Sequence, residues 1–308
     1  MKNYRIKYII SSKLEHLSII NILKNLKKDK KGYIQIIYIK NDSLGQLNLS
    51  ILKKIIKKKT NYNYNILISL MYINNEIGNI NNIEKIYKLS KKYKVLYHSD
   101  FVQYIGHYKL NFLRKKCDFF TASSHKFYGP LGVGFIYKSK KHNLKNFING
   151  GNQEQNIRSG TENLYGIVGM SKALKIFYNK YENEKKYILK LKKYCIYLLK
   201  KYIDNIRFNG LSDNLKKSSY NILNIRLPFR DDLLHIKLDL KKIMISKGSS
   251  CYYQTNLSHV IKNILKKEEY KKTTSIRVSF SIYNKKEEID YFVNILKKIN
   301  YDKKISYN

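Results

Sequence analysis

A chain of 308 residues, 43% hydrophobic and rich in Tyr, Ile and Leu, holds one large domain or two ordinary ones and is too apolar for global disorder. Its net charge of +39 invites a nucleic-acid reading, but only seven of the 61 basic residues are arginine, and the lysines run from end to end through segments such as "LKKIIKKK". Lys, Asn, Ile and Tyr all have AT-rich codons, so genome base composition accounts for the bias, and a solvated lysine surface with weak, salt-sensitive adhesion to polyanions is expected in place of a specific nucleic-acid site.

In chain order, "ILISLMYI" at 66–73 is an apolar run that ends in the turn-like "NNEIGN", which suits a buried strand and a loop. A helical pattern follows through Ile83, Ile86, Tyr87 and Leu89. "KVLYHSD", "CDFFTASS" and "GVGFIYKS" then read as three short strands, the first two with polar ends. Strands alternating with helices predict an α/β fold with a mostly parallel sheet and flanking helices. In such sheets chemistry gathers at the carboxyl ends of the strands, where Asn75, Asp100 and Ser123–Lys126 all fall. From about Gly160 to Ile203 the pattern is helical, as two helices or one long bent one. Beyond it "NIRFNG", "SYNILNIRL" and "SIRVSFSI" predict strands, with helices near 231–240, 257–267 and 286–299. The change of rhythm places a boundary near 180, between domains 1–180 and 181–308, the second a smaller α+β domain.

Lys126 stands apart in "TASSHKFYGPLGVGF", 121–135, where its nearest lysines are Lys116 and Lys138. A lysine that forms a Schiff base must be neutral part of the time, which requires burial or a defined polar setting. If the carbonyl is that of pyridoxal phosphate, the phosphate needs donors of the kind Ser123, Ser124 and His125 supply. The pyridine nitrogen needs a carboxylate to stay protonated and draw electrons, and Asp100 at a neighbouring strand end suits it. Gln103, three residues on, lies within reach of the ring oxygen.

"HSDFVQYIGHYKLNFLRKKCDFFTASSHKFYGPLGVGFIY" resembles the core of the cysteine desulfurases, fold-type I pyridoxal-phosphate enzymes that take sulfur from cysteine. "SSKLEH", "YINNEIG", "RSGTEN", "NILN", "SKGSSC" and "SIRVSF" follow the family's order, so the resemblance runs from about residue 6 to 300. The undiminished span from Cys251 to Arg277 is similar to the NifS/IscS-like group, not the SufS-like one. The resemblance implies a large cofactor-binding domain at 1–180 and a small domain carrying a Cys251 loop. Lys126 would hold the cofactor covalently and take the substrate Cα proton. Asp100 would pair with the pyridine nitrogen, Gln103 with the ring hydroxyl, and His16 would stack on the ring. Ser123 and His125 would bind phosphate, and Thr161 would reach the phosphate site of a second copy in a homodimer. Asn75 would contact the cofactor and, with Arg277, orient the substrate, Arg277 as a two-pronged clamp on its carboxylate. Cys251, between glycine and serines in a mobile loop, would take the sulfur of L-cysteine as a persulfide, with L-alanine as co-product. The sulfur would pass to an iron–sulfur scaffold protein or a tRNA-thiolation acceptor, and Cys251 would transiently bind a nascent iron–sulfur cluster. The family also begins about ninety residues earlier, with a glycine-alanine-threonine turn at a helix N-terminus that cups the cofactor phosphate. That segment is expected to be absent here, through a late gene start, a separate chain or loss, and its absence to weaken cofactor binding.

Blander readings stand beside these. Asp100 alone suits a helix N-cap, His16 a surface or satisfied core histidine, and Cys117 and Cys195 inert small residues in strand and helix. Arg277, one of seven arginines where drift favours lysine, points to a need for planar bidentate geometry. Three cysteines without paired spacing make no disulfide framework or resident metal site and suit a reducing compartment, the cytoplasm or an organelle. No apolar run approaches the ~20 residues that span a bilayer, and Lys13, Glu15 and His16 break up the N-terminal apolar stretch, so no membrane partner is expected. The alternatives are a selenocysteine lyase or related class V enzyme, a silent partner in iron–sulfur assembly, and a basic nucleic-acid binder.

Overall fold

The computed structural model describes residues 6–28, 34–60, 65–110, 116–246 and 258–307. The chain forms two compact units. The first comprises 1–40, 48–72 and 81–181, and the second 41–47, 73–80 and 182–308.

The first unit is built on a six-stranded sheet ordered β2-β1-β3-β4-β5-β6. Its strands are β1 (Tyr8–Ser12), β2 (Gln35–Ile39), β3 (Ile66–Ser69), β4 (Leu96–Asp100), β5 (Phe119–Ser123) and β6 (Gly134–Lys138). The first five pair in parallel. Parallel strands need crossovers, and α1 (Leu17–Lys28), α2 (Leu49–Lys59) and α3 (Ile83–Lys92) lie in three of the connections between them. The connection 124–133 holds no such helix, and β6 returns antiparallel to β5, which keeps the sheet mostly parallel as the pattern predicts.

Ile9, Ile10, Ile66, Ile68, Leu96 and Tyr97 are buried, the mark of strands covered on both faces. One core cluster joins Ile6, Ile9, Leu23, Leu96 and Phe119, so α1 and three strands share a single apolar layer. Local signals set the helix ends. Asn48 Oδ1 caps α2 by accepting from Ser50 N and Ile51 N, each at 3.1 Å, while Lys57–Lys59 sit in its last turn, where the helix dipole favours cations. Asn82 caps α3 in the same way, accepting from Lys85 N at 3.0 Å.

After the short α4 (Gln153–Asn156), the helical stretch beyond Gly160 is one helix, α5 (Leu164–Tyr202), of 39 residues, and the chain passes from the first unit to the second within it. The second unit holds an antiparallel sheet ordered β7-β8-β9, made of β7 (Arg207–Phe208), β8 (Ile222–Leu227) and β9 (Thr274–Ser279). With it are α6 (Leu234–Asp239), α7 (His259–Ile264), α8 (Lys267–Lys272) and α9 (Lys286–Tyr307). Residues 73–80 belong here because main-chain groups tie them in: Ser219 N donates to Gly78 O at 2.8 Å and Ile80 N to Lys217 O at 3.1 Å. No helix among the described residues is long and apolar enough to cross a membrane.

Candidate active site

In the first unit the candidate residues gather at the carboxyl edge of the sheet. Asp100 ends β4 and Ser123 ends β5, and Asp100 stands opposite Thr121 in the parallel register. His16 follows the end of β1. Asp100 Oδ1 accepts from Val102 N at 2.8 Å, so the bland capping contact is present. It does not exhaust the carboxylate. Burial pushes the Asp100 carboxyl up, while the Val102 N–H and the positive charges of His16 and Lys126 pull it back down. Asp100 therefore lies within electrostatic reach of both cations, yet it makes no ion pair with them or with any other of the described residues.

Lys126 sits in a 3-10 turn, Ser124–Phe127, directly after β5. Ser124 N donates to Val133 O at 3.0 Å and Gly129 N to Ser124 O at 3.1 Å, which pins both ends of the turn. Ser124 and Phe127 point inward, while His125 and Lys126 are exposed. Of the two settings that a Schiff-base lysine can use, burial is therefore not the one that Lys126 has in this chain. The turn is wedged from below by the segment after β4. Gly106 has φ 75°, and a Cβ there would fall 2.0 Å from the Phe127 Cβ. The neighbouring His107 ring donates to the Lys126 carbonyl, and burial lowers its pKa to about 4, so it stays neutral. Ser124 Oγ is buried without a hydrogen-bond partner, and a Cβ on Gly129 would fall 2.0 Å from it.

Gln103 is half-buried in the turn that follows Asp100. His16 is half-buried, its Nδ1 2.8 Å from Ser18 Oγ. Ser123 precedes the Lys126 turn, and its side chain makes no capping bond. Thr161 is exposed, its carbonyl 3.4 Å from Arg158 Nη1. It follows Arg158, which lines a 660 Å³ cleft together with Gly134, Ile136, Glu162 and Asn163.

Three groups near these residues had been passed over in the sequence. Glu15 is fully buried, and its Oε1 accepts from Met71 N at 2.8 Å. Burial raises its pKa well above the carboxylate range, offset in part by the Met71 N–H and reinforced by the charge of Asp100. His98 lies two residues before Asp100, hence on the same face of β4, with Nδ1 3.0 Å from Ser69 Oγ and a pKa lowered by burial to about 4. The third is His107. Glu15 and His98 stood inside quoted motifs, "SSKLEH" and "HSD"; only their burial distinguishes them.

Asn75 and Arg277 belong to the second unit. Arg277 lies in β9, and burial lowers its pKa while the negative charge of Glu76 raises it. Nη1 donates to the Asn75 carbonyl at 2.8 Å and Nη2 to Ser246 Oγ at 3.0 Å. Each Nη therefore makes one bond within the chain, and Asn75 contributes its main chain to one of them. Cys251 and its neighbours Gly248, Ser249 and Ser250 lie outside the described residues. Cys117 and Cys195 are buried, and burial pushes both thiols up to about 12, which leaves them inert.

The donor set of the first unit fits pyridoxal phosphate. A half-buried carboxylate without an ion pair suits a protonated ring nitrogen, the adjoining turn offers an amine, and Ser124 Oγ is a buried hydroxyl still lacking a partner. Residues 5–292 match the Aminotransferase class-V family. The cysteine desulfurase IscS of Dictyoglomus turgidum is 36% identical over 294 residues, covering 95% of this chain and 72% of that protein. The corresponding protein of Buchnera aphidicola is 34% identical, over 94% and 69% of the two chains. A solved NifS-like protein from Rickettsia africae superposes with a TM-score of 0.83 at 32% identity, over 98% of this chain and 78% of that one. This chain belongs to the class-V aminotransferases, fold-type I enzymes dependent on pyridoxal phosphate, and within them to the cysteine desulfurase family.

Proposed function

We propose that this chain removes the sulfur of L-cysteine, leaving L-alanine and a persulfide on Cys251. The observation that carries this reading is the placement of Asp100 at the end of β4 and Lys126 in the turn after the neighbouring β5, with both Lys126 and His16 within electrostatic reach of the Asp100 carboxylate. Bound there, pyridoxal phosphate supplies an electron sink for the substrate Cα. Lys126 holds the cofactor and then moves the Cα proton. Asp100 would keep the ring nitrogen charged, with the buried Glu15 carboxyl, raised by burial, within electrostatic reach of it. Gln103 would bind the ring oxygen, His16 would pack against the ring, and Ser123, Ser124 and His125 would hold the phosphate. Arg277 takes the substrate carboxylate, Asn75 setting its position. The Cys251 thiolate takes the substrate sulfur, so that L-cysteine and a thiol become L-alanine and a persulfide and the atoms balance.

Thr161 serves a second copy of the chain. Leu131, Phe147 and Tyr165 are 80%, 92% and 91% exposed and flank or interleave the cleft residues in sequence, apolar side chains of the kind a homodimer covers. The persulfide is handed on in a reducing compartment, the cytoplasm, to an iron–sulfur scaffold or a tRNA-thiolation acceptor, and a nascent cluster on Cys251 is cargo of that transfer. The test is to give purified chain pyridoxal phosphate and L-cysteine and to measure alanine together with a trapped persulfide. Alanine in equal amount to sulfur is expected; alanine formed with no sulfur on Cys251 sinks the assignment.

A further inference from the structure

Arg277 is held from more sides than a surface arginine needs. Its N–H donates to the Ser246 carbonyl at 2.7 Å and the Ser246 N–H returns a bond to the Arg277 carbonyl at 3.1 Å, so the two residues form an isolated antiparallel bridge. The side chains repeat the pairing, Nη2 donating to Ser246 Oγ at 3.0 Å while Nη1 donates to Asn75 O at 2.8 Å. Nε is buried and has no partner. A guanidinium has five N–H groups in one plane. Two are used and Nε is buried, which leaves one hydrogen on each Nη. Glu76 adds a negative charge that keeps the guanidinium cationic, and it is itself steadied by Ser258 and by Asn224 Nδ2, which donates to its carbonyl at 3.0 Å.

We infer that Ser246 is a positioning residue for the substrate carboxylate: its hydroxyl, with the Asn75 carbonyl, sets the plane in which Arg277 offers Nη1 and Nη2 end-on. The inference deepens the desulfurase reading and rests on it. Asn75 acts through its main chain, which no substitution removes, whereas Ser246 acts through a side chain that one substitution does. The bridge of main-chain bonds survives that change, so the strand geometry remains and only the fork is freed.

The experiment compares wild type, Ser246→Ala and Ser246→Thr, each loaded with pyridoxal phosphate, in L-cysteine turnover and in calorimetric binding of L-alanine. Loss of the hydrogen bond that orients the guanidinium should raise the KM of Ser246→Ala about tenfold and weaken L-alanine binding to match, with kcat within about twofold. Ser246→Thr keeps a hydroxyl and should restore both. A wild-type KM in Ser246→Ala, or a loss of kcat and melting temperature that Thr does not rescue, overturns the inference and leaves the desulfurase reading standing. A wild type that neither turns over L-cysteine nor binds L-alanine overturns that reading, and the inference with it.

Discussion

Gly106 and Phe127 touch so closely that a single added carbon on the glycine would sit 2.0 Å from the Phe127 Cβ. The first follows the strand that ends in Asp100 and the second closes the turn that carries Lys126, so this contact sets carboxylate against amine. Gly106→Ala meets backbone-linked carbon and a φ of 75° together. It should cost about 3 kcal/mol, from overpacking plus left-handed strain, read as a lower urea midpoint with an unchanged slope. Retention of wild-type stability would show that the two segments shift apart freely.

Lys126 and Asp100 separate by chemistry. Borohydride reduction after incubation with pyridoxal phosphate should add the cofactor mass to the peptide containing Lys126. Lys126→Ala should lose the adduct completely. Asp100→Asn should keep it, but at a cofactor concentration at least about tenfold higher, for want of one charge-assisted contact. A full adduct on another lysine in Lys126→Ala argues against the site.

Lys192 is buried in α5, its Nζ donating to Ser218 Oγ at 2.9 Å and Ser219 O at 2.6 Å, and burial lowers its pKa to about 7. The unfolded lysine titrates near ~10.4. Between those values the unfolded chain binds the extra proton, so stability rises with pH from about 7 to 10 and is lost as pH falls back through the window, at up to ~1.4 kcal/mol per unit. Lys192→Met should flatten that slope in denaturation curves taken from pH 7 to 10. An identical slope in the variant assigns the effect elsewhere.

The three cysteines should divide two against one. Cys251→Ser should abolish protein-bound persulfide in a thiol-tagging assay. Cys117→Ala and Cys195→Ala should keep it, because a buried thiol with a pKa near 12 is not a nucleophile at neutral pH. Both alanine variants should lose about 1–2 kcal/mol of stability through small cavities. Persulfide undiminished in Cys251→Ser redirects the sulfur to another acceptor.

What the amino-acid order determined by itself is local and repeating. Apolar runs with polar ends marked β3, β4 and β5, and "NIRFNG", "SYNILNIRL" and "SIRVSFSI" marked β7, β8 and β9, because burial on a pleated sheet demands those patterns wherever they occur. The ordered motifs carried the family, since Asp100, Lys126 and Arg277 each sit in a stretch whose residue types serve one chemistry. Tertiary structure alone decided the rest. Residues 73–80 join the second unit through main-chain bonds to Gly78 and Ile80 that leave no trace in composition. Lys192 reads like any of the surface lysines until the packing of α5 encloses it. The bond from Arg277 to Asn75 uses a main-chain carbonyl, identical in every residue, and so leaves no mark in the sequence. Periodicity reports how a segment meets water; which distant groups a folded chain brings within 3 Å depends on the path of the whole backbone, and no short stretch of sequence encodes that.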